Sequence, residues 1–138
     1  MDNAAVKVVK FGGSSLSDAV QFQKVRDIIL ADPARRYVVP SAPGRRFDGD
    51  DKVTDLLYRC YDMAVAGEDI DEVFSRITAR YDSIVADLGL ELDLSQQYQV
   101  IKNGFLCHVG RDYAASRGEY LNGLILSKYL GFHFIDAA

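Results

Sequence analysis

Apolar residues recur along the chain at two spacings, and the switch from one to the other sets the expected order of elements. Ala4 to Val9 is rich in valine and alternates loosely, which predicts a short, largely buried strand. Phe22, Val25, Ile28 and Ile29 then fall on one helical face within Asp18 to Leu30, with Ser17 as N-cap and Asp32-Pro33 as stop. Tyr37-Val38-Val39-Pro40 is a second apolar strand. Val53, Leu56, Leu57, Cys60, Met63 and Ala64 restore the helical spacing, which ends at Gly67. The most regular helix is Asp69 to Leu88, where Ile70, Val73, Phe74, Ile77, Tyr81, Ile84, Val85 and Leu88 keep the three-four rhythm. Asp69 with Glu72 is its capping pair, and Gly89 closes it. Residues 90–94 fit neither spacing. Ser95 to Asn103 predicts a short helix ended by Gly104. Asp112 to Leu130 is helical again, with Leu121, Leu124, Ile125 and Leu130 on its face and a kink or a helix junction expected at Ser116-Arg117-Gly118-Glu119. A glycine inside a helix costs about 1 kcal/mol relative to alanine. Phe132-His133-Phe134-Ile135 predicts a third strand.

Strands alternating with helices imply an α/β fold, with a mostly parallel sheet covered by helices on both faces. Ligands of such sheets gather at the carboxyl ends of the strands. Two loops of small residues stand there. Lys10-Phe11-Gly12-Gly13-Ser14-Ser15 follows the first strand, and Ser41-Ala42-Pro43-Gly44 follows the second. Glycines let backbone N–H groups approach a phosphate without a Cβ in the way, and Lys10 adds an ammonium beside it. The spacing matches neither a Walker loop nor G-x-G-x-x-G. A tight turn with a solvated lysine is the plain alternative, so the motif needs support from elsewhere in the chain.

Composition narrows the partners. The 138 residues suffice for one domain with a core, and the net charge of -4 gives no footprint for nucleic acid. Cys60 and Cys107 lie far apart and read as reduced thiols. The N-terminus lacks a signal-peptide profile and no run is long enough to span a bilayer, so a soluble, cytoplasmic protein is expected. Cys107-His108 lacks metal-ligand spacing, so no metal site is assigned. His133 reads as a packed or half-exposed strand residue, and the tyrosines fall mostly at helical core positions. Arg45 to Lys52 is polar and reads as an exposed, mobile loop. Its Arg45-Arg46 pair is either solvated or within reach of nucleotide phosphates.

Val9-Lys10-Phe11-Gly12-Gly13-Ser14-Ser15 resembles the N-terminal signature of the aspartate kinases, in the amino-acid kinase superfamily. Further matches follow in order. Val38 to Gly44 resembles that family's second strand and its loop, Lys52-Val53-Thr54-Asp55-Leu56-Leu57 its threonine-bearing helix start, and Ser116-Arg117-Gly118-Glu119 its serine-x-glycine-glutamate motif. The resemblance implies a three-layer αβα sandwich, truncated. Residues 1–138 would be the N-terminal portion of the catalytic domain, without the C-terminal nucleotide-binding part or the regulatory ACT domains.

The same resemblance implies transfer of the ATP γ-phosphate to the β-carboxylate of L-aspartate. The product, 4-phospho-L-aspartate, opens the route to lysine, threonine and methionine. A carboxylate of reference pKa about 3.9 is already ionised at neutral pH, so positioning and charge neutralisation replace a general base. Lys10 would stabilise the transferred phosphoryl group. The N–H groups of Gly12 and Gly13, with Ser14, would hold its oxygens. Thr54 and Glu119 are the substrate contacts implied, by a hydroxyl at a helix start and by acceptance from the substrate ammonium. Their plain alternatives are an N-cap and a solvent-facing acid. Ser41 would donate to phosphate or substrate, or simply make its turn. Mg2+ would arrive with ATP, since no carboxylate cage is present. Superfamily kinases of other acceptors remain open, as does a catalytically inactive half-domain that binds ligand weakly or self-associates. A homo-oligomer is expected, because an incomplete sheet leaves an unpaired edge.

Overall fold

The valine-rich start forms strand β1 (Lys7–Phe11) in the computed structural model, which describes residues 5–136. Ala4, where the first strand was expected to begin, lies outside the described residues, as do Ala137 and Ala138. A 3-10 turn (Gly13–Leu16) and helix α1 (Ala19–Leu30) carry the chain back to strand β2 (Arg35–Pro40). The strands pair in parallel, with Val9 opposite Val38, Lys10 opposite Val39 and Phe11 opposite Pro40. The cap of α1 is Asp18, not Ser17. The Asp18 carboxylate accepts from the Gln21 N–H at 3.0 Å, while Ser17 is buried and donates to the Ser14 carbonyl at 3.4 Å.

Four helices follow: α2 (Val53–Val65), α3 (Asp71–Asp87), α4 (Ser95–Leu106) and α5 (Arg111–Leu130). The Asp69 carboxylate takes the Asp71 N–H at the start of α3, and Gly89 closes that helix in the left-handed region at φ +67°. Gly104 does not end α4. It lies inside the helix against the ring of Tyr113, which a Cβ would meet at 2.9 Å. Nor is α5 broken at Gly118. A Cβ there would meet Ala42 Cβ at 2.7 Å and Leu57 Cδ1 at 2.9 Å, so the missing side chain serves close packing rather than a kink.

The core lies among the helices: Phe22, Leu57, Ile77, Tyr81, Phe105, Leu121 and Ile125 are fully buried. Phe105 meets Tyr61 and Phe74 edge-on, at 5.7 and 6.2 Å between ring centroids. Val9, Phe11 and Val38 pack the sheet against this core, whereas Val8 (68% exposed), Tyr37 and Val39 stand open on the other side. Helices therefore cover one face of the sheet among the described residues, where two covered faces were expected. Phe132 to Ile135 forms no strand and pairs with none, so the described sheet has two strands rather than three. The reason is local. Phe134 spends its ring on α5, over Gly123 and edge-on to Tyr120 at 5.7 Å. His133 is exposed on the same stretch, outside any strand. Both cysteines are free; Cys60 is buried in α2, where burial pushes its thiol up to about 11, and Cys107 is exposed at the end of α4. No helix among the described residues is long and apolar enough to cross a membrane.

Candidate functional site

Parallel pairing brings the two small-residue loops side by side at the carboxyl ends of β1 and β2. Backbone groups join them: the Ser41 N–H donates to the Phe11 carbonyl at 3.0 Å, and the Gly44 N–H to the Gly13 carbonyl at 2.8 Å. The approach is close enough to exclude a side chain from either loop. A Cβ on Gly13 would lie 2.9 Å from the Ala42 oxygen, and one on Gly44 would lie 2.7 Å from the Gly13 carbonyl carbon. Gly12 differs. Its backbone is extended at φ -75°, and a Cβ there would meet nothing within 4 Å.

Three helices hold this loop pair from behind. The first amide of α2, on Val53, donates to the Pro43 carbonyl at 3.1 Å. From α5, Gly118 lies against Ala42, and the buried Asn122 donates its amide to the Ser41 carbonyl at 2.8 Å. Tyr81 of α3 donates its hydroxyl to the Gly118 carbonyl at 2.9 Å, and burial pushes its phenol far above the ordinary value.

Arg80, also on α3, is 5% exposed. Its guanidinium donates to the carbonyls of Ser17 (3.2 Å), Gly44 (2.7 Å) and Asp51 (2.9 Å), and lies 3.6 Å from the Asp50 carboxylate. Asp50 in turn takes two bonds from the Arg46 guanidinium, at 2.8 and 3.0 Å, and one from the Arg46 N–H at 3.0 Å. The Arg46 guanidinium chiefly, then the Arg46 N–H and Arg80, hold the Asp50 carboxyl well below the usual carboxylate range against the opposing effect of burial. Residues 45–52 were expected to be an exposed, mobile loop. Arg45 and Arg46 are exposed, but the loop is pinned from within, because the Asp50 side chain is only 8% exposed.

The expected site residues divide in two. Gly12, Gly13, Ser14 and Ser41 lie on the paired loops, and the half-buried Thr54 is the second residue of α2, next to Val53 on the Pro43 carbonyl. Thr54 is thus not the N-cap; that position is Lys52. Lys10 is exposed at the end of β1. Glu119 is exposed on the wall of a groove of about 860 Å³ between β2, α5 and residues 132–136, one residue after Gly118, which packs against Ala42. Among the described residues the side chains of Lys10, Thr54 and Glu119 make no hydrogen bond or ion pair with one another. No cluster of three His, Cys, Asp or Glu side chains suited to a metal ion is found among them either, and His108 sits against the Ala64 carbonyl at 3.2 Å. Arg80, Asp50 and Asn122 escaped the sequence reading. Arg80 did leave a trace, since it falls three residues after Ile77 and four before Ile84 on the apolar face of α3.

No protein-family model matches the chain. Aspartokinase 3 of Bacillus subtilis (strain 168) is 46% identical over 85 residues, which is 62% of this chain and 19% of that protein. The crystal structure of Clostridium acetobutylicum aspartate kinase superposes with a TM-score of 0.94 at 49% identity, covering 98% of this chain and 31% of that one. Escherichia coli aspartokinase III in complex with aspartate and ADP gives a TM-score of 0.69 at 25% identity, over 90% of this chain and 28% of its own. The chain therefore spans less than a third of the length of the relatives it matches.

Proposed function

We propose that this homologue of the aspartokinases is the N-terminal portion of a kinase catalytic domain and carries its phosphate-facing edge. The observation that carries the reading is the contrast between the glycines. Gly13 and Gly44 are required by the approach of the two loops, whereas Gly12 faces open space two residues after the exposed Lys10. A bare amide and a lysine two residues before it, at a strand end, suit a phosphoryl group. In the whole protein, MgATP supplies the γ-phosphoryl group, and the β-carboxylate of L-aspartate attacks it without a general base. Lys10 offsets the charge on the transferred group, and the N–H groups of Gly12 and Gly13, with Ser14, hold its oxygens. Ser41 and Thr54 orient the acceptor, the latter helped by the dipole at the start of α2. Glu119 accepts from the substrate ammonium. The setting is the cytoplasm.

The test exchanges residues 1–138 for the structurally equivalent segment of the Clostridium acetobutylicum enzyme and measures aspartyl hydroxamate formation. Activity with aspartate and not with glutamate is the expected result. Lys10→Met in that chimera should lower kcat by about 10²- to 10³-fold, the loss typical of one preorganised charge-stabilising donor. An active chimera indifferent to Lys10→Met would overturn the assignment.

A second reading draws on the sheet. Val8, Tyr37 and Val39 leave an apolar strip on its open face, so the chain alone is an inactive half-domain that self-associates. Sedimentation of the isolated chain as a monomer across a wide concentration range would exclude it.

A further inference from the structure

Resting on that reading of the loops, we propose that Arg80 is the positioning residue of the phosphate-facing loop pair, with Asp50 and Arg46 holding its guanidinium in place. The three carbonyls it binds come from three separate segments: Ser17 after the 3-10 turn, Gly44 after β2 and Asp51 before α2. Arg80 ties these separate segments to one another. Gly44 is fixed at both ends, by its carbonyl on Arg80 and by its N–H on the Gly13 carbonyl. A continuous chain of hydrogen bonds thus runs from α3 through Gly44 to Gly13, the residue that follows Gly12. Touching no ligand position itself, Arg80 acts through the backbone.

The chemistry demands an arginine. A planar guanidinium holds its five donors in a fixed fork, so one terminal nitrogen reaches the Ser17 and Gly44 carbonyls while the other reaches Asp51, whereas an ammonium offers its three donors from a single nitrogen. Its charge is kept in the interior by Asp50, and Asp50 is held by the guanidinium and amide of Arg46. Purely mechanical packing would have been served by an apolar side chain at this position of α3, where Ile77 and Ile84 flank it.

The test has two arms. In the isolated 138-residue chain, hydrogen exchange read by NMR should show the Gly44 amide losing protection at least tenfold in Arg80→Lys while the α5 amides of Leu121 and Ile125 keep theirs. In the active chimera, the same variant should lower kcat by about 10²-fold, the scale of an ångström-sized misplacement, with KM for aspartate changed far less. Protection that stays at Gly44, or falls equally at Gly44 and α5, overturns the proposal, since the second pattern is that of a merely structural residue. Should Arg80→Lys leave no folded chain, Asp50→Asn decides. Selective loss at Gly44 supports the proposal and uniform or absent loss overturns it. An inactive chimera would count against the kinase reading alone, because the exchange measurement needs no turnover.

Discussion

The helical side of the molecule and its sheet are built on opposite terms. Helices α2 to α5 surround Tyr81, Phe105, Ile77 and Leu121 with apolar neighbours, and little of these residues reaches water. Among the described residues the sheet has two strands, and its outward positions Val8, Tyr37 and Val39 are open. One side carries the stability and the other carries the loops. The difference teaches that the candidate site does not depend on the sheet alone for its rigidity. It is braced from behind, by Arg80 and Tyr81 of α3, the start of α2, and Gly118 and Asn122 of α5.

That contrast can be broken most severely from the helical side. Phe105→Ala removes a fully buried ring packed edge-on against two others and should cost about 3–5 kcal/mol, read as a shift in the urea midpoint at constant slope. Gly118→Val attacks the seam. It drives a branched side chain into Ala42 and Leu57 and should cost about 1–3 kcal/mol. Its effect on loop amides should exceed that of Phe105→Ala when variants are compared at equal stability.

A smaller effect comes from acid. The folded-state pKa of Asp50 is depressed, so its contribution is complete above the unfolded carboxylate value of about 4 and is lost as pH falls below that toward the folded value. Urea midpoints measured from pH 6 down to pH 2 should therefore fall, and Asp50→Asn should flatten part of that slope while lowering stability at pH 6. An identical slope in the variant would mean that other carboxylates, such as Asp32 beside Lys7 and Asp62 beside Arg111, carry the acid sensitivity. The smallest change is expected on the open side. Val39→Lys should alter stability by no more than about 0.5 kcal/mol, yet weaken any self-association seen by sedimentation.

The same division governs what could be read in advance. α3 was legible because its apolar residues keep one period and its ends carry local signals, Asp69 and Gly89. β1 and β2 were legible because their valine-rich runs end in small residues, and their parallel pairing brings those loops side by side. Gly104 and Gly118 misled, since a glycine's local meaning is a stop or a kink. Here each is dictated by a partner distant in the chain, Tyr113 on the next helix and Ala42 on the second loop. Phe132 to Ile135 had the pattern of a strand, but the pattern cannot say that Phe134 finds its partner on α5. Arg80 was hidden for a related reason. The carbonyls it binds are backbone atoms, which every residue has, so nothing in the identity of Ser17, Gly44 or Asp51 announces them. Thr54 and Glu119 entered through resemblance alone, Thr54 at the start of α2 and Glu119 on α5 just after Gly118.

The placement of the two thiols offers an internal clock. Cys107 sits in water at the end of α4, while Cys60 lies in the interior of α2 with its proton held tightly. An alkylating reagent will consume Cys107 at once and reach Cys60 only when the helices part. The interval between the two modifications, followed by mass spectrometry, therefore times the opening of the braced side without any added probe.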